Sequence, residues 1–381
     1  MRLIQRLVLL ATPLLLGACS YIPFLNTDKP PLPLPAVTGN ASLTVNWQSP
    51  LGSKQSSTLM PASVADRVYA AHPSGAIVTY DRKSGATVAR FDLPAGKGHI
   101  SGGVGASATM VVVGTSKAEV IAFDSSGKVL WTGRVGSEVI APVAISDDVV
   151  VVLSGDGSFA GLDAKTGVRK WVITRSLPPL TVRSSAIPVA TRGGVFVGTP
   201  QGKLLAFDAS TGAIGWESTV ANPKGASELE RLVDVIGQPV LDADKVCAAA
   251  YQGRVACFDI LRGTLRWSRD ISTLTPIAAD NKNVYLIDDK GFAHAFDKAT
   301  GGSVWKQDVL AGRRATGSAM IGGYFAVQDT SGAVHLVEAA TGRIAGRGLG
   351  DAFASDVSLV SAGEDAIIQT RTGLVASISA R

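Results

Sequence analysis

The sequence predicts an all-β protein, an eight-bladed β-propeller built from four-stranded antiparallel blades. Three observations support this fold class. Glycine makes up about 11% of the 381 residues, where about 7% is typical. One turn motif recurs at intervals of 38 to 51 residues, and short runs of Val, Ile, Leu and Phe flank each turn. A period of roughly 40 to 50 residues with several short strands is typical of propeller blades.

Each repeat consists of a strand that ends in an acidic residue, a glycine turn and a second strand. The best copies read GSFAGLDAKTGVRKW from Gly157 and GKLLAFDASTGAIGW from Gly202. The acidic positions are Asp81, Asp124, Asp163, Asp208, Asp259, Asp297 and Glu338. We expect the acidic side chain to accept N–H groups of its own turn, and the glycine four residues later to take a positive φ. The Trp that closes most copies is expected to pack between blades.

The two ends of the chain predict how the ring closes. Trp47 lies in ASLTVNW with no turn motif before it, and the last copy, at Gly373, ends at Arg381 with no following strand. The strand around Leu43–Trp47 would therefore complete the C-terminal blade, which removes the open edges of the first and last blades. Seven full copies and this composite one make eight blades; without closure the count would be seven.

The N-terminus predicts a lipoprotein leader. Residues 1–18 carry Arg2 and Arg6 before an apolar run too short to span a membrane. Leu16-Gly17-Ala18-Cys19 resembles the lipobox of bacterial lipoproteins, which implies cleavage before Cys19 and its acylation, palmitate included. The next residue is Ser20 rather than Asp, which in that family favours the outer membrane. We expect a Pro-rich tether over residues 19–40 and a single propeller domain over residues 41–381.

Composition excludes several function classes. The net charge of +5 includes two leader arginines, so the mature chain is only weakly basic, and no basic run or RNA-binding aromatic motif is present. We therefore expect no nucleic-acid partner. No HExxH, GxSxG, P-loop or CxxC motif occurs, and we expect neither catalytic residues, nor a metal, nor an organic cofactor.

Two pairs of side chains remain open to more than one interpretation. Cys247 and Cys257 flank a hairpin turn; a three-residue loop would set them face to face, close enough for a disulfide, whereas a two-residue loop would leave two buried thiols on opposite faces. Even face to face they could remain free thiols. His294 and His335 each lie three residues before the repeat acid in consecutive blades. They are either hydrogen-bonded core residues or a metal pair.

The repeat AFDASTGAIGW resembles the tryptophan-docking motif of pyrroloquinoline-quinone dehydrogenases. Across the mature chain, however, the sequence is more similar to the outer-membrane protein assembly factor BamB family. It shares the Cys anchor, the repeat and the long loop SELERLVDVIGQPV that starts at Ser227. The resemblance implies a non-enzymatic, periplasm-facing lipoprotein that binds a POTRA domain of the barrel subunit BamA and helps outer-membrane proteins to fold and insert. Unfolded outer-membrane proteins are a further class of partner that exposed strand edges would suit.

The same resemblance implies a partner-binding site on two segments. In LPPLTVRSS, Leu180, Val182 and Arg183 match the family's Leu-x-Leu-Arg segment, with Val in place of the second Leu. In the long loop, Arg231, Leu232 and Asp234 match, but Ile236 stands where a second Asp is expected. Asp234 would either pair with the partner or hold Arg183 in place.

Two other functions compete with this interpretation. A quinoprotein-like dehydrogenase would need Ca²⁺ ligands, a catalytic Asp and usually adjacent cysteines, and the sequence contains no Cys-Cys pair. A propeller face that binds cell-wall glycan would need exposed Trp beyond the six that the repeat and the closing strand account for.

Overall fold

The computed structural model describes residues 33–55, 59–182, 186–348, 350, 353 and 358–381. Over these residues the regular elements are 32 β-strands, arranged as eight four-stranded sheets with antiparallel neighbours. The predicted eight-bladed propeller is thereby confirmed. Within this described part, no helix has the length and apolar character needed to cross a membrane.

The strands follow the repeats in chain order. The first strand, β1, spans Leu43–Pro50. Blade 1 contains β2 (Ala62–Val64), β3 (Arg67–Ala71), β4 (Ala76–Asp81) and β5 (Thr87–Asp92). Blade 2 contains β6 (Ile100–Ala106), β7 (Val111–Thr115), β8 (Glu119–Phe123) and β9 (Val129–Arg134). Blade 3 contains β10 (Ala144–Ser146), β11 (Val149–Leu153), β12 (Phe159–Asp163) and β13 (Arg169–Ile173). Blade 4 contains β14 (Val189–Thr191), β15 (Gly194–Thr199), β16 (Lys203–Asp208) and β17 (Ile214–Thr219).

The second half of the ring is built in the same way. Blade 5 contains β18 (Val235–Leu241), β19 (Lys245–Ala250), β20 (Val255–Asp259) and β21 (Leu265–Arg269). Blade 6 contains β22 (Ala278–Ala279), β23 (Asn283–Ile287), β24 (Phe292–Asp297) and β25 (Ser303–Asp308). Blade 7 contains β26 (Ala315–Ile321), β27 (Tyr324–Asp329), β28 (Val334–Glu338) and β29 (Ile344–Gly348). Blade 8 contains β30 (Ser358–Ala362), β31 (Asp365–Gln369) and β32 (Leu374–Ala380), and β1 is its outer strand.

Ring closure occurs where the sequence predicted it. Strand β1 pairs antiparallel with β32, from Leu43 opposite Ala380 to Pro50 opposite Leu374. Trp47 then packs in one buried cluster with Val68 and Tyr80 of blade 1 and with residues of blade 8. The N-terminal strand therefore covers the edge that the C-terminal blade would otherwise expose.

Adjacent blades are joined by a repeated indole contact. Each Trp donates its indole N–H to a backbone carbonyl in the acidic turn of the next blade, at N–O distances of 2.8–3.1 Å. The pairs are Trp47–Arg82, Trp131–Ala164, Trp171–Ala209, Trp216–Ile260, Trp267–Lys298 and Trp305–Ala339. The ring also lies on the turn glycine, whose φ is positive in every case. The predicted packing role of the Trp residues is confirmed.

The propeller body begins earlier than the sequence analysis placed it. A compact unit runs from Leu34 to Arg381. The amides of Thr38 and Ala41 donate to the carbonyls of Ile344 and Ala345 at 3.0 and 2.9 Å, so this segment lies along β29. Residues 34–40, which we had assigned to the tether, are therefore part of the body. Cys19 and the leader lie outside the described residues.

Candidate partner-binding site

The two segments of the expected site are connections that leave the same end of adjacent blades. One is the loop of residues 174–188 between β13 and β14, and the other is the loop of residues 220–234 between β17 and β18. In a four-stranded antiparallel blade, the connection to the next blade leaves at the same end as the turn between the second and third strands. The loops therefore meet above the turn that joins β15 to β16.

Asp234 links the two loops from a buried position. Its side chain is only 2% exposed, and its carboxylate accepts the amide of Val182 at 2.5 Å and the amide of Gln201 at 3.3 Å. Burial raises the pKa of Asp234, and the two amide bonds oppose that rise. Asp234 thus holds the backbone of the first loop, one residue before Arg183, and is not placed to meet a partner directly. Sequence reasoning selected the residue but could not distinguish these roles.

The first loop presents apolar side chains to solvent. Leu180 is 45% exposed and Leu177 is 40% exposed, while Val182 is half-buried. A parallel bridge between Ala186 and Gly237 secures the far end of the loop on blade 5. Arg183 lies outside the described residues. The described part of this loop is therefore an exposed apolar segment with a fixed backbone.

The second loop carries two further residues of the expected site, Arg231 and Leu232. Arg231 is exposed and Leu232 is half-buried, and their amides donate to the carbonyls of Ser227 and Leu229. Glu230 closes the loop by accepting the amides of Ser227 and Ala226, and these bonds lower its pKa.

Ile236 occupies the position where the family pattern has an acid. It is 5% exposed and pairs with Ala249 inside blade 5. An aliphatic side chain suits this buried site, because a second carboxylate there would lose its hydration.

A cleft of about 440 Å³ is lined by the first loop, by the turns that join β11 to β12 and β15 to β16, and by Asp234 at the end of the second loop. Its walls include the apolar side chains of Leu153, Phe159, Leu177, Val182 and Val235, together with polar groups such as Ser154 and Asp234. Arg175 and Glu217 face each other across blades 3 and 4 at 2.7 Å and also line the cleft. Sequence reasoning missed both residues, since neither belongs to a motif; the available signals were that Arg175 lies two residues after a Trp-bearing strand and that Glu217 directly follows Trp216.

A disulfide joins Cys247 and Cys257 in blade 5. The two residues face each other directly across β19 and β20. Of the two registers that the sequence allowed, the hairpin therefore has the one with a three-residue loop. Both side chains are buried, and the pair lies within the blade, apart from the residues that line the cleft.

Comparisons with known proteins agree with this architecture. The family model described as "Outer membrane protein assembly factor BamB" matches residues 73–307 and 289–377. The outer membrane protein assembly factor BamB of Bordetella pertussis is 35% identical over 376 residues, which covers 98% of this chain and 96% of that protein. The factor of the same name from Nitrosomonas eutropha is 40% identical over 302 residues, 79% of this chain and 73% of that protein.

Solved structures extend the comparison to the fold. The crystal structure of BamB from Moraxella catarrhalis has a TM-score of 0.79 and 28% identity, and the match covers 89% of this chain and all of that one. A quinohemoprotein alcohol dehydrogenase from Comamonas testosteroni has a TM-score of 0.66 at 13% identity, over 88% of this chain and 76% of that one, and shares the fold alone. From the sequence matches over nearly its whole length, the chain belongs to the BamB family of outer-membrane protein assembly factors.

Proposed function

We propose that this chain is a non-enzymatic scaffold of the outer-membrane barrel assembly complex. It binds a periplasmic POTRA domain of a BamA-type barrel subunit and is held at the outer membrane, facing the periplasm, by acylation of Cys19. The observation that carries the proposal is the link from Asp234 to Val182, because it brings together the two segments that the family resemblance assigned to partner binding.

The physical character of the surface supports binding to a folded protein. Exposed leucines lie beside a cleft with mixed polar and apolar walls, and the loop that carries them is hydrogen-bonded at Val182 and Ile187. A loop whose backbone is already ordered loses less conformational entropy on association. Arg183 and Arg231 add donors of the kind that is enriched at interface hot spots.

Three charged groups that line the cleft, those of Asp234, Arg175 and Glu217, have structural partners, which supports a binding role rather than catalysis. Asp234 is bonded to two amides, and Arg175 is paired with Glu217. Neither pair leaves a carboxylate placed as a general base for a bound substrate.

Substitution of Leu180 tests the site. Leu180→Asp should weaken binding to a purified POTRA-bearing fragment at least about tenfold, since it puts a charge into an apolar contact. Arg183→Glu should cost about 2–5 kcal/mol of binding free energy. Both should leave the melting temperature unchanged, because the loop is outside the core.

Leu261→Asp is the matched control. Leu261 is 84% exposed and lies in the acidic turn of blade 5, at the opposite end of the blade from the cleft. Calorimetry should give wild-type affinity for this variant. Equal affinities for the Leu180 and Leu261 variants would contradict the proposed surface.

A further inference from the structure

The N-terminal segment of the body is held by a buried chain of hydrogen bonds in blade 7. Arg347 of β29 donates from its guanidinium to the carbonyl of Pro35 at 2.8 Å. The same guanidinium donates from Nε to Nδ1 of His335 at 2.9 Å. Nε2 of His335 lies 3.1 Å from a carboxylate oxygen of Asp329. The side chains of His335 and Asp329 are 0% and 1% exposed. Through Arg347 this buried pair is connected to the segment that leads into the tether.

The hydrogen-bond pattern defines the protonation state of His335. A guanidinium has donors only, so Nδ1 must be the acceptor and carries no proton. Nε2 then carries the ring proton and donates it to Asp329. The imidazole in this arrangement is neutral, and its two hydrogen-bond partners determine which ring nitrogen carries the proton.

The charges around the cluster come from three elements. Asp329 lies on β27, Arg347 on β29, and Arg313 on the connection between β25 and β26. Burial lowers the pKa of Arg347, the negative charge of Asp329 opposes this, and Arg313 adds to the lowering. The described N-terminal segment, residues 33–41, contains no charged side chain.

We propose that His335 is a pH-sensitive latch on the N-terminal segment. When Nδ1 of His335 gains a proton, it can no longer accept a hydrogen bond, and its own N–H faces the N–H of Arg347. The positive charges of the imidazolium and the guanidinium then lie side by side. Arg347 then withdraws, its bond to Pro35 breaks, and residues 34–41 separate from β29. Histidine is the side chain whose charge changes between about pH 5 and pH 8.

Release lengthens the connection between the body and an anchored Cys19. Eight residues from Leu34 to Ala41 add up to about 25 Å when extended. This consequence rests on the lipid anchor of the proposed function, but the latch itself does not.

Blade 6 contains a natural control. Nε2 of His294 lies 2.9 Å from a carboxylate oxygen of Asp288, as Nε2 of His335 lies close to Asp329. Like His335, His294 lies three residues before the acidic residue of its blade. Its cross-strand neighbour is Lys306 rather than an arginine, and that ammonium lies over the ring of Phe292. No hydrogen bond described for His294 reaches the N-terminal segment.

Hydrogen exchange of the mature chain tests the latch without membrane or partner. The amides of Thr38, Gly39 and Ala41 are bonded to β29, so their protection reports whether the segment is docked. After correction for intrinsic exchange rates, wild-type protection should fall about tenfold or more between about pH 8 and pH 5. His294→Gln should respond like wild type.

Two substitutions test whether His335 and Arg347 control the docking of the N-terminal segment. His335→Gln stays neutral and should give equal protection at both pH values. Arg347→Met removes the bond to Pro35 from a half-buried position and should leave the amides unprotected throughout, which provides a second test if the His335 variant does not fold. Constant wild-type protection, or a wild-type pH response in His335→Gln, would overturn the proposal. Because no POTRA domain is present, failure here is distinct from failure of the partner site.

Discussion

At the level of single residues, a contact between an indole and a glycine joins six of the eight pairs of neighbouring blades. Gly212 has a φ of +72°, and a Cβ placed on it would lie 2.7 Å from the ring of Trp171. Two requirements therefore coincide at this position: a left-handed backbone, which costs other residues about 1–2 kcal/mol, and space for a flat ring.

Substitution of this glycine separates the two requirements. Gly212→Ala should destabilise the protein by about 2–4 kcal/mol, from the backbone term and from overpacking against Trp171. Gly193→Ala should cost only the backbone term, because Gly193 has a φ of +77° and open space around its Cβ position. Urea unfolding of both variants measures the difference, and equal losses would show that the indole does not need the glycine.

The buried carboxylate of Asp329 should make the stability of the protein depend on pH. Burial raises the pKa of this carboxyl, but hydrogen bonds from His335 and Ser331 outweigh it and lower the pKa to about 2. A lowered folded-state pKa stabilises the protein above the ordinary carboxyl value, and that stabilisation is lost as pH falls towards 2. Asp329→Asn should therefore cost about 2 kcal/mol at pH 7. In denaturant titrations its deficit relative to wild type should shrink below about pH 4, and a constant deficit would contradict this account.

At the level of elements, the N-terminal segment replaces a tryptophan. Gly346 of β29 stands eight residues after Glu338, where blades 3 to 6 carry Trp, and its Cβ position lies against the carbonyl of Ala41. Blade 8 ends its third strand at Ala380 and contains no acidic turn on which an indole from blade 7 could dock. The passing N-terminal chain fills this space instead.

Truncations distinguish tether, docked segment and closing strand. Deleting residues 20–33 should not change the melting temperature, since they precede the body. Deleting residues 20–47 removes most of β1 and exposes the edge of β32, which should lower the melting temperature or cause aggregation. Deleting residues 20–41 should give an intermediate value, because only the contacts with β29 are lost. Equal melting temperatures across the three would contradict the closure of the ring by β1.

The hairpin of β19 and β20 carries the Cys247–Cys257 pair. We predict that the unreduced mature protein is lighter by two hydrogens than its reduced form, because the oxidising periplasm, where we propose that the body lies, favours the bond between two facing cysteines. The loop it closes is short, so replacing both residues by Ala should cost less than about 3 kcal/mol. Intact mass before and after reduction decides the point, and two thiols that alkylate after denaturation without reductant would exclude the bond.

At the level of the whole molecule, the two ends of the propeller differ in structure. The acidic turns and their tryptophans join neighbouring blades at one end of each sheet. The long connections at the other end carry the exposed leucines and the cleft. The contacts that join the blades and the surface that we propose for partner binding therefore lie at opposite ends, so the loops can vary without loss of the ring.

The proposed lipid anchor belongs to this scale, because acylation of Cys19 would place the whole body at the membrane. Cys19→Ala should leave the protein unacylated and soluble in the periplasm, since acyl chains contribute about 0.8 kcal/mol of membrane binding per buried CH₂. Fractionation with a high-salt wash measures the distribution. A variant that still sediments with outer-membrane vesicles would show that another part of the chain holds it there.

Local patterns in the sequence were sufficient for the architecture. The spacing of acid, glycine and tryptophan predicted the blades, the turn conformation and the docking of the indoles, because each blade repeats the same short-range requirements. The missing Trp strand after Gly373 and the unaccounted Trp47 predicted the closure by β1. The family resemblance added the two loop segments, which carry no repeat signal.

Only the tertiary structure decided how those segments are placed. The burial of Asp234 against the amide of Val182, the cleft beside Arg175 and Glu217, and the bond from Arg347 to Pro35 join residues of separate repeats or opposite chain ends. Such contacts form between loops and termini, where no hydrophobic period constrains the chain. They depend on how the closed ring sets these segments side by side.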